Sequence, residues 1–394
     1  MRSSPAKGII DFVYKPIEFV SETLERKLGL ASVVILSLSA MLGSGLFVLP
    51  ALVMTDMGGG TMPVAGIWLA YLLAAIAILP AAISKGELST AMPSSGGSYV
   101  YIERTFGPLV GTVSGIGLWG ASMLKSAFAL IGFKAYLWIL EELLNITINL
   151  EIAALILLTM IVGINILGMS RIKKVQTPIV LSLIIFILVL TIWAILTMDL
   201  NWGIAFGKDA MGGSWGDVWP NIAHSTAFVF VAYAGVTKIA AVGGEIKNPS
   251  RNIPYGILLS LLISCLLYVF VSIVMVATVS PEFYMTTDGS AREDPIYVFA
   301  HAIGGNTVGI ISAVFAVTVL TAMALAGIMA TSRFPFAMAR DNLLPESLEN
   351  VHPKYQTPHL SILGTGIAMA ISITLLPVED IAKLASGFKI MIFI

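Results

Sequence analysis

Long uncharged apolar runs, separated by short polar and charged clusters, recur along the whole chain. They cover residues 28–55, 57–84, 105–124, 152–170, 175–198, 218–237, 252–281, 302–332 and 355–378, and a tenth starts near Asp380 and is cut off at Ile394. A hydrocarbon core ~30 Å thick needs roughly 20 apolar residues per spanning helix. The runs are too long for strands and lack the alternation that a barrel requires. The pattern predicts an all-α polytopic membrane protein with about ten spanning helices, the tenth truncated.

Composition strengthens this reading. The chain is 57% hydrophobic and only 11% charged over 394 residues, too little charge for a soluble surface of that size. The net charge of -1 says little, but its distribution says more. Arg2, Lys7, Lys15, Arg26, Lys27, Lys85, Arg104, Arg171, Lys173, Lys174, Lys247, Arg251, Arg333, Arg340 and Lys354 fall on one set of alternating loops. The opposite set holds little more than Lys134, Lys208 and Arg292. The positive-inside rule puts the N-terminus in the cytoplasm, and the cell membrane is the expected location. Residues 1–27 then form a cytoplasmic tether or an amphipathic segment on the inner leaflet.

One cysteine, Cys265, and four scattered histidines provide neither a disulfide framework nor a metal site. No nucleophile–base pair lies at membrane depth, so neither an enzyme nor a cofactor is expected. The expected partners are a small substrate and membrane lipid, with no nucleic acid.

Two runs contain small residues where a helix should be regular. The first run holds Gly43-Ser44-Gly45 and the sixth holds Ala232-Tyr233-Ala234-Gly235. Small residues serve either close helix packing or a break whose freed backbone faces a cavity. Their places in runs one and six suit a five-helix inverted repeat, residues 28–200 against 201–394, with discontinuous helices at equivalent positions. A second echo sets Tyr99-Val100-Tyr101 and Phe106-Gly107 against Tyr297-Val298-Phe299 and Ile303-Gly304.

Four ordered motifs carry a resemblance. KGELSTAMPSSGGSYVYIERTFGP at 85–108, GSGLF at 43–47, GGEIKNPSRNIP at 243–254 and SRFPFAMARDNLLP at 332–345 resemble the amino acid–polyamine–organocation transporter superfamily. The resemblance spans residue 30 to about 360 and implies a LeuT-like fold, alternating access and an amino acid substrate. Such proteins usually have more helices than this sequence holds.

A zwitterion can be held by backbone alone. A half-helix N-terminus offers N–H groups to the carboxylate, and freed carbonyls accept from the ammonium. The expected binding residues are Leu42, Gly43, Ser44 and Gly45 with Phe230, Val231, Ala232, Tyr233, Ala234 and Gly235. By resemblance, Val231 takes the place of a bulky aromatic gate found in some relatives. Lys125, with Ser126 beside it, lies inside the third run, and an ionisable group at such depth points to function. It serves proton coupling, or counters an acidic substrate side chain, or snorkels to an interface or pairs structurally.

Coupling signatures of the family are incomplete here. Leu183 stands where proton-coupled relatives often have a lysine, and Thr237 followed by Lys238 where many have a glutamate. The hydroxyls Ser312, Thr318 and Thr321 are dispersed, and Thr331-Ser332 lies near the cytoplasmic end, so Na+ is less favoured than H+. Secondary active transport with proton-linked uptake is the leading expectation. An exchanger without cation coupling and a non-transporting amino acid sensor are the alternatives. Glu245, Lys247, Arg251, Arg333, Arg340 and Asp341 anchor topology or form an ion-pair gate.

Overall fold

The computed structural model describes residues 26–57, 66–137, 149–206, 215–236, 238–286 and 291–376, with a few isolated positions besides. Span 1 consists of α1 (Leu30–Phe47) and α2 (Leu49–Met57), and span 2 is α3 (Ile67–Ala91). A short helix, α4 (Ser98–Phe106), leads into span 3, α5 (Pro108–Ala135). Spans 4 and 5 are α6 (Leu150–Ile166) and α7 (Met169–Thr197), followed by the short α8 (Trp202–Phe206). Span 6 is α9 (Trp215–Val229), a 3-10 turn over Ala232–Gly235, and α10 (Lys238–Ala241). Span 7 is α11 (Pro249–Thr278) and span 8 is α12 (Pro295–Thr331), which runs into α13 (Arg333–Arg340). Span 9 is α14 (His359–Leu375).

Seven of the described helical stretches are long and apolar enough to cross a membrane, and Leu150–Ile166 and His359–Leu375 are shorter apolar helices. The nine described runs all become helices, with shifted ends. The second is expected at 57–84 but its helix is Ile67–Ala91, so it passes Lys85 and Glu87. Charges near a span's end reach out to the interface along their stems and do not end a helix. Most of the N-terminal segment and of the tenth run lies outside the described residues.

Burial separates central from peripheral helices. Residues 36–51 of span 1 are buried on every side, as expected for a helix that is apolar all round and sits among other helices. In α7, by contrast, Leu181, Ile185, Val189, Ile192 and Leu196 are exposed along one face, the stripe a lipid-facing helix presents. Phe186 of α7 stacks on Phe315 of α12 with centroids 4.4 Å apart, fixing its other side to the core.

The two motif echoes share local geometry. Gly107, at φ 87°, separates α4 from α5. Within α12, Gly304 and Gly305 leave helical geometry, Gly305 at φ 67°. Gly107 and Gly305 thus take a positive φ that residues with a Cβ rarely adopt. Each lets a short helix fold back before the following span.

Spans 1 and 6 are also tied together at their basic ends. The Lys27 and Leu28 N–H groups donate to the Glu245 carbonyl at 2.9 and 3.0 Å, and the Lys247 N–H donates to Leu28 at 2.8 Å.

Candidate functional site

The two expected breaks meet at the centre of the bundle, but they are built differently. In span 6 the α-helix ends at Val229. The Val231 N–H turns to the Phe228 carbonyl at 3.4 Å, Ala234 N–H to Val231 at 3.2 Å and Val236 N–H to Tyr233 at 3.1 Å. Short-range bonds of this kind tighten the chain into a 3-10 turn. Ala232, Tyr233, Ala234 and Gly235 are buried, while Phe230 and Val231 are partly buried. Thr237 lies outside the described residues.

Span 1 requires a correction. Leu42, Gly43, Ser44 and Gly45 are all buried within the continuous helix α1 and do not unwind. The departure from helical geometry comes at Val48 (φ −126°, ψ −50°), and its N–H still donates to the Ser44 carbonyl at 3.2 Å. The glycines serve close packing instead. A methyl group at Gly43 would lie 2.7 Å from Met323 Sδ, and one at Gly45 would collide with the Tyr268 hydroxyl and lie 3.1 Å from Ala232 Cβ. Gly235 reciprocates from span 6: a methyl there would lie 2.5 Å from Met41 Cγ and 2.9 Å from the Ala40 backbone. The half-helix beyond Val48 opens with Leu49-Pro50, and proline carries no N–H, so it presents fewer donors than the glycine break would have.

Three tyrosines clamp span 1 around this point. Tyr268 of α11 donates to the Met41 carbonyl at 2.6 Å, Tyr71 of α3 to Gly45 at 2.6 Å, and Tyr136, just past α5, to Phe47 at 2.7 Å. Tyr233 of the span 6 turn donates to the Tyr71 carbonyl at 3.0 Å, and its ring packs edge-on against Tyr268 at 5.3 Å. Buried phenols find partners in this way. The Ser44 Oγ, by contrast, is buried with no hydrogen-bond partner among the described residues. An orphaned buried hydroxyl beside two interrupted helices is free to bind a ligand.

Lys125 reaches the span 6 turn from span 3. It is 2% exposed, and its Nζ donates to the Val231 carbonyl at 2.7 Å. The snorkelling alternative is thereby removed, because the ammonium points into the break. Ser126 beside it donates to the Ser122 carbonyl at 2.8 Å and accepts from Lys238 Nζ at 3.5 Å. Lys238, noted in the sequence only as a departure from a family glutamate, is 5% exposed and belongs to the same cluster. The signal was present: a lysine interrupting the apolar stretch 218–242, read there as the end of a span.

The remaining candidates divide cleanly. Arg333 and Glu245 form a buried ion pair at 2.8 Å, and Arg333 also donates to the Ser332 hydroxyl at 3.0 Å. Asp341 instead accepts from Tyr99 at 2.7 Å and Arg104 at 3.4 Å. Burial and the neighbouring Asp341 carboxylate push the Tyr99 phenol well above its ordinary value. Leu183 is a buried core residue, and Ser312 donates to its own helix at Gly309, 2.7 Å away. No group of three metal-ligating side chains occurs among the described residues.

Comparison with known proteins bears on the family and the fold. The chain is 28% identical to the branched-chain amino acid permease BcaP of Bacillus subtilis over 384 residues, covering 93% of this chain and 78% of that protein. It is 27% identical to the serine/threonine exchanger SteT of the same species, covering 94% and 81% of the two chains. These relatives are a permease and an exchanger rather than enzymes. The solved structure of MhsT in complex with L-phenylalanine shares the fold, with a TM-score of 0.67 at 14% identity and coverage of 92% and 87%. The transporter Mhp1 of the nucleobase-cation-symport-1 family gives a TM-score of 0.64 at 12% identity over 95% and 78% of the two chains. The family model for amino acid permeases matches residues 28–394. The chain therefore belongs to the amino acid permease family, within the amino acid–polyamine–organocation superfamily.

Proposed function

We propose that this protein is a secondary active transporter that takes up amino acids by alternating access, with a proton as coupling ion. The observation that carries the reading is the Lys125 ammonium seated on the Val231 carbonyl inside the broken span 6. A titratable nitrogen holding the substrate-binding backbone makes proton gain or loss a means of tightening or releasing that backbone. The α-ammonium of the substrate binds the carbonyls of the same turn, and its carboxylate meets Ser44 and the start of α2.

An opening on the basic face, beside spans 1 and 5, is where a cytoplasmic entrance would lie under alternating access. A cavity of about 610 Å³ opens among Lys27, Lys173, Lys174 and Lys247 on the basic face. Leu28, Lys173 and Thr177 also line a smaller gap between spans 1 and 5 that reaches Leu36 and Gln176. The basic face is read as cytoplasmic on the distribution of lysine and arginine, and the membrane is taken to be the cell membrane.

Exchange without a cation is the second reading, favoured by the likeness to SteT, a serine/threonine exchanger. Uptake of labelled amino acids into proteoliposomes separates the two. Proton coupling predicts accumulation driven by an inward proton gradient into empty vesicles. Flux only into vesicles preloaded with amino acid would replace it with exchange. Ligand-stabilised melting with no flux would point to a sensor.

A further inference from the structure

The core holds five buried ionisable acids and bases among the described residues: Lys125, Lys238, Glu245, Asp294 and Arg333. Glu245 pairs with Arg333, and Asp294 with Arg292 at 2.8 Å. Lys125 serves the span 6 turn. Lys238 has no such role.

Its surroundings are specific. Lys238 opens α10, immediately past the span 6 turn. Its Nζ has one hydrogen bond to a described residue, Ser126 Oγ at 3.5 Å, the outer limit for such a bond. The Ser126 proton is already given to the Ser122 carbonyl, leaving oxygen lone pairs for the ammonium. On the third side stands Gly327 of α12, where a methyl group would collide with the Ser126 hydroxyl and lie 3.3 Å from Lys238 Nζ. Spans 3, 6 and 8 thus converge on an ammonium with three donors and one long bond.

A buried cation without a counter-charge is costly, and a membrane interior offers no water to soften the cost. An amino acid's own ammonium and carboxylate cancel, so a zwitterion with a neutral side chain brings no net charge to Lys238. A substrate with a second carboxylate does. Given the reading that spans 1 and 6 hold the amino acid backbone, we infer that Lys238, with Ser126, binds a carboxylate on the substrate's side chain. The preferred substrates are then acidic amino acids.

The test uses the full chain in proteoliposomes, with flux of labelled glutamate and leucine. Unlabelled aspartate, glutamate, leucine, serine and arginine serve as competitors. Wild-type protein should favour glutamate over leucine in kcat/KM by about tenfold or more, the scale of one charge-assisted hydrogen bond. Lys238→Met should lower that ratio by about tenfold or more, and Lys238→Arg should retain part of it. Ser126→Ala keeps the charge and should lower the ratio less.

Wild-type flux of neutral or cationic amino acids with no acidic preference overturns the inference, and does so even where Lys238→Met fails to purify. An equal loss for glutamate and leucine in Lys238→Met also overturns it, assigning Lys238 to the fold or to the α-carboxylate. Absence of flux for every amino acid removes the transport reading itself, which is a separate failure.

Discussion

Spans 1 and 6 carry similar clusters of small residues, and the structure uses them in opposite ways. In span 1 the glycines stay helical and admit Met323 and Tyr268, while three phenols clamp the carbonyls of Met41, Gly45 and Phe47. In span 6 the chain tightens into a 3-10 turn whose Val231 carbonyl is held by a lysine. Span 1 is therefore a wall fixed by neutral hydroxyls. Span 6 is a joint fixed by a titratable charge. Small residues alone do not decide between packing and unwinding; the partners that surround them do.

The largest expected effect lies where the joint is anchored. Arg333→Met leaves the Glu245 carboxylate buried and unpaired, which should cost about 3–5 kcal/mol. Thermal unfolding of purified protein reads this loss. Adding Glu245→Gln should recover part of it, since the stranded charge is then gone. No recovery would mean that the pair does not pin the turn after α10 to α13.

Next come the glycines where wall and joint meet. Gly45→Ala and Gly235→Ala should each destabilise by about 1–3 kcal/mol through overpacking. Gly29→Ala, with nothing within 4 Å of the added methyl, should change the melting temperature little. A Gly45→Ala protein as stable as wild type would show that span 1 is looser than described.

The clamps sharpen the contrast between neutral and charged fastening. Tyr268→Phe removes one phenol from a carbonyl inside a helix and should cost about 1 kcal/mol. Its pH dependence of transport should match wild type. Lys125→Met should abolish the proton dependence of uptake. Unchanged proton dependence in Lys125→Met removes that lysine from coupling.

The smallest effect tests the basic face outside the spans. Burial raises the Glu103 carboxyl above its usual value, the Asp341 carboxylate adds to this, and Arg104 opposes both. With a raised folded value, the stability from Glu103 is complete below its unfolded value of about 4.3 and is lost as pH rises through the folded one. Glu103→Gln should flatten that decline, giving a slightly higher melting temperature at neutral pH and little change in acid.

Most of the fold was legible in the apolar runs, because spanning length is set by the bilayer and not by remote contacts. The meeting of runs one and six was legible too, from their positions in a repeat. The location of the first interruption was not. Glycine permits both unwinding and close approach, and the choice rested on Met323 and Tyr268, far away in the chain. Lys125 announced itself by depth within a run. Lys238 was hidden by its place at a run's edge, where a lysine ordinarily meets the interface, and only the packing of α5 and α12 against α10 revealed its burial.

Hydrogen–deuterium exchange of the protein in lipid, with and without a transported amino acid, tests the contrast most directly. The account predicts that residues 229–241 exchange faster than residues 30–47 in the absence of substrate, and that substrate slows the former strongly. Equal protection of the two stretches, or a substrate effect confined to other spans, would contradict it.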